Sequence, residues 1–213
     1  MEHDTGIISE ERAVYTYKLV LLGSSGVGKS SIVVRYLRDE FRDTDCTTGC
    51  AFFTQRVYHQ GQPLNFEIWD TAGQERYHSV CHLYYRGASA ALLVYDITSK
   101  ETFMRAQLWL QELRKYVFSE EMVIALIGNK TDLNSQRKVS REDAQAFAEQ
   151  EKLLYMETSA KTAEGVSQAF EAVASQLLIM DHHKRDKARR RDADFFMQGA
   201  QNTDGIHRCC NFQ

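Results

Sequence analysis

The chain has 213 residues, of which 26 are lysine or arginine and 29 are aspartate or glutamate, so its net charge is −3. This balance excludes the strongly basic class of nucleic-acid-binding proteins, and no apolar run approaches the roughly 18 residues that span a membrane. The five cysteines form no C-x-x-C motif and no disulfide framework, which favours a reducing cytosol. The length fits one domain with room for tails.

The first motif lies near the N-terminus, where residues 23–30 read Gly-Ser-Ser-Gly-Val-Gly-Lys-Ser. They match the phosphate-binding pattern G-x-x-x-x-G-K-[ST], between the strand-like run Tyr17–Leu22 and a helix predicted over Lys29–Leu37. Glycines let successive backbone N–H groups wrap a phosphate, and the helix presents its positive end to the same group. We therefore expect Lys29 to reach the β and γ phosphates and the Ser30 hydroxyl to bind Mg²⁺.

A second motif, Asp70-Thr71-Ala72-Gly73-Gln74, follows the predicted strand Leu64–Trp69. A carboxylate at the end of that strand can hold Mg²⁺, directly or through water. The N–H of Gly73 is expected to approach a γ-phosphate, because glycine permits close backbone contact. Gln74 is expected to orient an attacking water.

Two further motifs point to the base. Asn129-Lys130-Thr131-Asp132 follows the predicted strand Met122–Gly128, and the two oxygens of Asp132 suit the ring N–H and exocyclic amine of guanine. The aliphatic stem of Lys130 is expected to pack over the base. Thr158-Ser159-Ala160-Lys161 follows the last strand, from where its backbone is expected to reach the guanine carbonyl.

The rest of the chain alternates strand-like and helix-like segments, which predicts an α/β fold with a doubly wound, mostly parallel six-stranded sheet and helices on both faces. The remaining predicted strands are Cys50–Tyr58, Ala90–Asp96 and Leu153–Met156. The remaining predicted helices run from Gln74 to about Tyr85, from about Phe103 to Val117, from the capping box at Ser140, and from Val166 to Leu178.

With the four motifs in this order, the chain resembles a Ras-superfamily small GTPase over about residues 16–180. Within that superfamily it resembles the Rab family, in its endocytic branch, where Cys50–Thr54 also fits. The stretches that carry the Rab resemblance are Leu64–Asp70, Arg76–Ala88 and Leu93–Thr98. The resemblance implies a flexible segment over residues 1–15, a GTPase domain over 16–180 and a flexible tail with a prenylation site over 181–213.

The resemblance also assigns roles by position. Thr47 matches the threonine that closes over Mg²⁺ and the γ-phosphate, and Phe41 matches the aromatic residue that packs against the guanine. Phe52, Trp69 and Tyr84 match the aromatic triad that effectors read, with a plain core role as the alternative. Thr48 stands beside Thr47, so either threonine is a candidate for the metal, although Thr47 has the family spacing.

The expected site is thus a magnesium-dependent GTP/GDP site with Lys29 and Gln74 as catalytic residues. The expected metal ligands are Ser30, Thr47 and Asp70. The residues expected to bind the nucleotide are Ser25, Gly26, Val27, Gly28, Lys29, Ser30, Ser31, Phe41, Thr47, Gly73, Asn129, Lys130, Asp132, Ser159, Ala160 and Lys161. No arginine finger is evident in the chain, and Arg35 and Arg42 are expected to serve surface pairing.

The C-terminus ends Cys209-Cys210-Asn211-Phe212-Gln213. The paired cysteines fit Rab prenylation, and a C-a-a-X motif at Cys210 is the alternative, weakened by Asn211. The implied partners are an exchange factor, a GTPase-activating protein, a GDP dissociation inhibitor, a prenylation escort and effectors, but no nucleic acid. The implied location is the cytoplasmic face of early or recycling endosomes, with a cytosolic pool.

Two rival functions share part of this pattern. A GTP-bound adaptor without turnover would keep the binding motifs, but the retained Gln74 argues against it. A nucleoside or small-molecule kinase would share the phosphate-binding loop, but the Asn129–Asp132 motif argues against that.

Overall fold

The computed structural model describes residues 14–42, 47, 49–73, 84–116 and 122–201, with side chains described up to residue 191. The chain divides into two compact units, residues 1–175 and 176–213.

The first unit is built on a six-stranded sheet with the order β2-β3-β1-β4-β5-β6. Its strands are β1 Tyr15–Leu22, β2 Cys50–His59, β3 Gln62–Thr71, β4 Ala90–Asp96, β5 Val123–Asn129 and β6 Leu154–Thr158. Only the pairing of β2 with β3 is antiparallel among the strand pairs of the described residues. The predicted doubly wound α/β fold is confirmed.

The burial of each strand follows its position in the sheet. Every residue of β4 is buried, and six of the seven residues of β5 are buried, as expected of parallel strands covered on both faces. At the other end of the sheet, β2 alternates between exposed and half-buried residues, because only one of its faces packs against the protein.

The helices of the described residues are α1 Lys29–Arg38, α2 Lys100–Tyr116, α3 Arg141–Gln150 and α4 Val166–Gln201, with a 3₁₀ helix over Thr131–Gln136. The capping box at the start of α3 is confirmed, since the Ser140 hydroxyl accepts a hydrogen bond from the Asp143 N–H at 3.0 Å. The predicted helix from Gln74 to Tyr85 lies outside the described residues except for Tyr84 and Tyr85, which are helical. Of the described helices, none is long and apolar enough to cross a membrane.

The C-terminal helix differs from the prediction. The apolar pattern ends at Leu178, and a loose tether was expected from Asp181, but α4 continues to Gln201. The helix has no proline and many helix-forming alanines, lysines and arginines. Opposite charges also recur four residues apart, as at Asp186 and Arg190, a spacing that supports helices. Hydrophobic periodicity cannot predict the part of α4 after Leu178, because that part has no apolar stripe.

The fold brings the four motifs to one edge of the sheet. Parallel strands have their carboxyl ends at the same edge of the sheet. In doubly wound sheets ligands bind at that edge, at the point where the order of the strands in the sheet reverses direction. The strand registers pair Leu21 with Asp70 and Asn129 with Thr158. The segments that follow β1, β3, β5 and β6 are therefore neighbours in space.

Candidate functional site

A cavity of about 510 Å³ opens at this edge of the sheet. All four motifs contribute to its walls. The lining residues are Ser25, Gly26, Gly28, Lys29, Ser30, Ser31, Phe41, Arg42, Thr47, Gly73, Asn129, Lys130, Asp132, Leu133, Ala160 and Lys161.

The loop between β1 and α1 is held in a tight backbone curve. Gly28 takes a φ of 96°, in the region that side chains disfavour, and no side chain caps α1 behind it. The positive N-terminal end of α1 therefore lies at the cavity without a side-chain cap among the described residues, an arrangement that suits an anion. Lys29 is only 5% exposed, and its ammonium donates to the carbonyls of Gly23 and Ser24 at 2.9 Å each, which places its charge at the phosphate-binding loop.

Three oxygen-bearing side chains meet beside this loop. The Ser30 hydroxyl lies 2.7 Å from the Thr47 hydroxyl and donates to Asp70 Oδ2 at 2.5 Å. The Thr71 hydroxyl donates to the Leu21 carbonyl at 2.6 Å and so fixes the end of β3 against β1. Hydroxyl and carboxylate oxygens are the ligands that Mg²⁺ prefers, so the residues present fit this ion. Thr48, the alternative ligand, lies outside the described residues.

The second oxygen of Asp70 strengthens this fit. Asp70 Oδ1 is buried and has no hydrogen-bond partner among the described residues, an arrangement that is costly for a carboxylate. Burial raises the pKa of Asp70, against the opposing effects of the Ser30 hydrogen bond and the Lys29 charge. A bound divalent cation would supply the missing partner and favour the ionised form.

Asn129 joins three of the segments that surround the cavity. Its side chain is 2% exposed, and its Nδ2 donates to the Val27 carbonyl at 2.8 Å. Its Oδ1 accepts hydrogen bonds from the Thr158 hydroxyl at 3.1 Å and from the Ala160 N–H at 3.2 Å. One buried amide therefore sets the distance between the phosphate-binding loop and the loop after β6.

The neighbouring Asp132 is oriented by Ser159, whose hydroxyl donates to Asp132 Oδ1 at 2.6 Å. Lys130 takes a left-handed φ of 72°, and its ammonium lies 2.7 Å from Asp96 Oδ2. Burial raises the pKa of Asp96, but Lys130 and Thr98 outweigh it and hold the pKa below its usual range. The ion pair anchors Lys130 by its charged end, which leaves the aliphatic stem along the cavity wall.

Gly73 lies against the backbone of the phosphate-binding loop. A Cβ atom at this position would stand 2.4 Å from both Ser24 C and Ser25 N, so only glycine fits. Gln74, the expected water-orienting residue, lies outside the described residues.

Some features of the cavity were not predicted from the sequence. Arg42 and Leu133 line it, and Leu133 could have been anticipated as the residue next to Asp132. The expectation of surface pairing for Arg35 was incomplete, because Arg35 also donates to two backbone carbonyls of the last motif. Val27 and Ser159, which were both expected to bind the nucleotide, are fully buried and are not among the lining residues.

The proposed effector triad forms a continuous aromatic cluster. The rings of Phe52 and Trp69 are 5.1 Å apart, and those of Trp69 and Tyr84 are 6.2 Å apart. Phe52 is 50% exposed, which a plain core role does not explain. The Lys18 ammonium lies 4.8 Å from the centre of the Trp69 ring, in the range of a cation–π contact.

The sequence model of the Ras family matches residues 18–179 of this chain. The chain belongs to the Ras family. It is 54% identical to human Ras-related protein Rab-17 over 162 residues, which are 76% of this chain and 76% of that protein. It is also 54% identical to mouse Ras-related protein Rab-17 over 164 residues, 77% of each chain. The resemblance to the Rab family is thereby confirmed.

Membership of this family fixes the general activity. As a Rab GTPase the protein hydrolyses GTP, which excludes both the adaptor without turnover and the kinase. Members of the family bind GTP or GDP with Mg²⁺, act in vesicle trafficking, and work with exchange factors, activating proteins, dissociation inhibitors and effectors.

Proposed function

We propose that this chain is a membrane-trafficking switch that recruits effectors in its GTP-bound state and releases them after hydrolysis. The observation that carries the proposal is the shared cavity, in which a phosphate-binding loop and a base-binding loop are joined through Asn129. The GTPase domain spans residues 16–180, and residues 181–213 form the membrane-directed tail.

Each residue at the phosphate end has a distinct role. Ser30, Thr47 and Asp70 would hold Mg²⁺, which when bound neutralises charge on the β and γ phosphates. Lys29 stabilises the negative charge that develops during in-line attack, and Gln74 orients the attacking water. The Thr47 hydroxyl contacts the Ser30 hydroxyl at this site, so Thr47 is placed to respond to the γ-phosphate.

Asp132 determines the choice of base at the other end of the cavity. With Oδ1 held by Ser159, its carboxylate is oriented for the paired donors of guanine, which adenine lacks. Asp132→Asn should therefore lose GTP affinity by up to about 10⁴-fold and gain affinity for xanthosine triphosphate.

The measurement is competition binding of GTP and xanthosine triphosphate to the full chain. Asp143→Asn is the matched control, since Asp143 is an exposed residue in the first turn of α3 and should leave both affinities unchanged. Unaltered base preference in Asp132→Asn would show that this motif does not read the base.

Hydrolysis is expected to be slow without a partner. An activating protein typically adds about 10³–10⁵ in rate. The aromatic cluster Phe52, Trp69 and Tyr84 borders the segments that respond to nucleotide, and the exposure of Phe52 supports an effector-facing role.

Membrane attachment is assigned to Cys209 and Cys210, which lie outside the described residues, through prenyl groups. One lipid chain binds a membrane only marginally, so a second signal is expected. Lys184, Lys187 and Arg191 are exposed and share one face of α4, at i, i+3 and i+7. Each basic residue contributes about 1 kcal/mol at an anionic surface.

The test is fractionation of cells that express Cys209→Ser/Cys210→Ser beside a variant with Lys184, Lys187 and Arg191 changed to glutamine. The double serine variant should be cytosolic instead of lying on the cytoplasmic face of early or recycling endosomes, and the glutamine variant should shift only in part. Endosomal retention of the double serine variant would contradict the lipid anchor.

A further inference from the structure

Arg35 lies in the last turn of α1, outside the four motifs, yet it contacts the loop after β6. Its Nε donates to the Ala160 carbonyl at 2.8 Å, and its Nη2 donates to the Lys161 carbonyl at 3.1 Å. Both residues line the nucleotide cavity. The Arg35 side chain is only 14% exposed, so water and salt weaken these charge-assisted hydrogen bonds little.

The remaining nitrogen of the guanidinium contacts the C-terminal end of its own helix. Nη1 donates to the Asp39 carbonyl at 2.7 Å and to Asp39 Oδ1 at 2.8 Å. Asp39 ends α1 in a left-handed conformation, and from there the chain leads to Phe41 at the cavity. The Asp39 carboxylate is 86% exposed, and exposed ion pairs contribute little, so the carbonyl contacts are the important ones.

The contacts with the carbonyls also orient N–H groups. A trans peptide directs its C=O and the next N–H to opposite sides. A carbonyl of Ala160 that faces Arg35 therefore turns the Lys161 N–H away from Arg35. For this N–H no hydrogen-bond partner is found among the described residues, so it is available to a ligand acceptor.

We propose that Arg35 is a positioning residue for the base, which holds the 160–161 backbone so that it recognises the carbonyl at ring position 6 of guanine. The inference rests on the proposed placement of guanine between Asp132 and this loop. Arginine is needed because one planar fork serves the carbonyls of Ala160, Lys161 and Asp39 together, a geometry that lysine cannot reproduce.

The test compares two nucleotides by equilibrium competition on the full chain: GDP and the diphosphate of 2-aminopurine riboside, which keeps the exocyclic amine but lacks the carbonyl and the ring N–H beside it. The second nucleotide binds the wild type more weakly, so each variant is compared with the wild type for the same nucleotide. Arg35→Ala should weaken GDP binding about tenfold, the worth of one charge-assisted hydrogen bond, and leave 2-aminopurine binding unchanged. Arg35→Lys keeps the positive charge but loses the planar guanidinium, so its GDP affinity should lie between those of the wild type and Arg35→Ala. This variant replaces Arg35→Ala in the test if the alanine variant does not fold.

Arg38→Ala is the matched control, because Arg38 is an exposed arginine in the same helical turn and should behave as wild type. Equal weakening of both nucleotides by Arg35→Ala, or none of either, would overturn the positioning role and leave Arg35 as a structural residue. Asp132→Asn, measured in parallel, separates the two hypotheses: if its base preference is unchanged, the placement of guanine itself is wrong.

Discussion

Replacing Asn129 with alanine should destabilise the protein more than any other single polar substitution at the site. The change removes three hydrogen bonds at once, to the Val27 carbonyl, the Thr158 hydroxyl and the Ala160 N–H. Each is worth about 1 kcal/mol net, and each group left buried without a partner costs about 1–3 kcal/mol. We therefore expect a loss of at least about 3 kcal/mol in the free energy of unfolding, from three hydrogen bonds at about 1 kcal/mol each.

The measurement is thermal and urea unfolding at a fixed, saturating concentration of GDP and Mg²⁺, because ligand concentration shifts the apparent stability. For a domain of this size the loss corresponds to a fall in Tm of about 10 °C. GDP should also dissociate faster, since the phosphate-binding loop and the base loop lose their shared partner. Asn65→Ala, in the middle of β3, is the matched control and should change neither quantity by much.

Asn129→Asp refines the test. It retains an oxygen for Thr158 and Ala160 but replaces the donor to Val27 with a carboxylate oxygen, so it should also be destabilising. If Asn129→Ala unfolds within about 1 kcal/mol of the wild type, the three hydrogen bonds of Asn129 do not hold these segments together.

Two further predictions concern catalysis and pH. Gln74→Leu should slow single-turnover GTP hydrolysis but leave GTP affinity nearly intact, because the residue acts on the water; wild-type rates with and without an activating protein would refute this role. Burial raises the pKa of Glu157, but hydrogen bonds from Arg137 and Tyr155 outweigh it and hold the pKa below 4.5. Glu157 therefore stabilises the fold above about pH 4.5 and loses this effect as pH falls through its folded-state pKa. In urea unfolding between pH 3 and 7, the stability gap between wild type and Glu157→Gln should be widest near neutrality and shrink in acid; a gap independent of pH would contradict this assignment.

Most strands and helices of the first unit were predictable from local pattern. Ala90–Asp96 was predicted with its observed bounds, because an unbroken apolar run between polar loops has few alternatives. The strand predicted over Leu64–Trp69 was two residues too short at each end, because β3 extends from Gln62 to Thr71. The residues at both ends of this strand pair with β2. The length of the partner strand, and not the hydrophobic pattern, therefore determines where β3 begins and ends.

The amino-acid sequence by itself determined the chemistry of this protein. The motifs that begin at Gly23, Asp70 and Asn129 each combine residue types and spacing that suit one part of a magnesium-bound guanine nucleotide, and the order of strands and helices requires their ends to meet at one edge of a parallel sheet.

Only the tertiary structure decided which side chains hold those motifs in place. Arg35 contacts Ala160 across 125 residues of sequence, Asn129 contacts Val27 across 102, and Lys130 reaches Asp96. None of these pairs has a local signature, because a hydrogen bond between distant loops depends on distances that the whole sheet sets. The length of α4 was also not predictable, because its residues after Leu178 carry no apolar stripe from which an end at Gln201 follows.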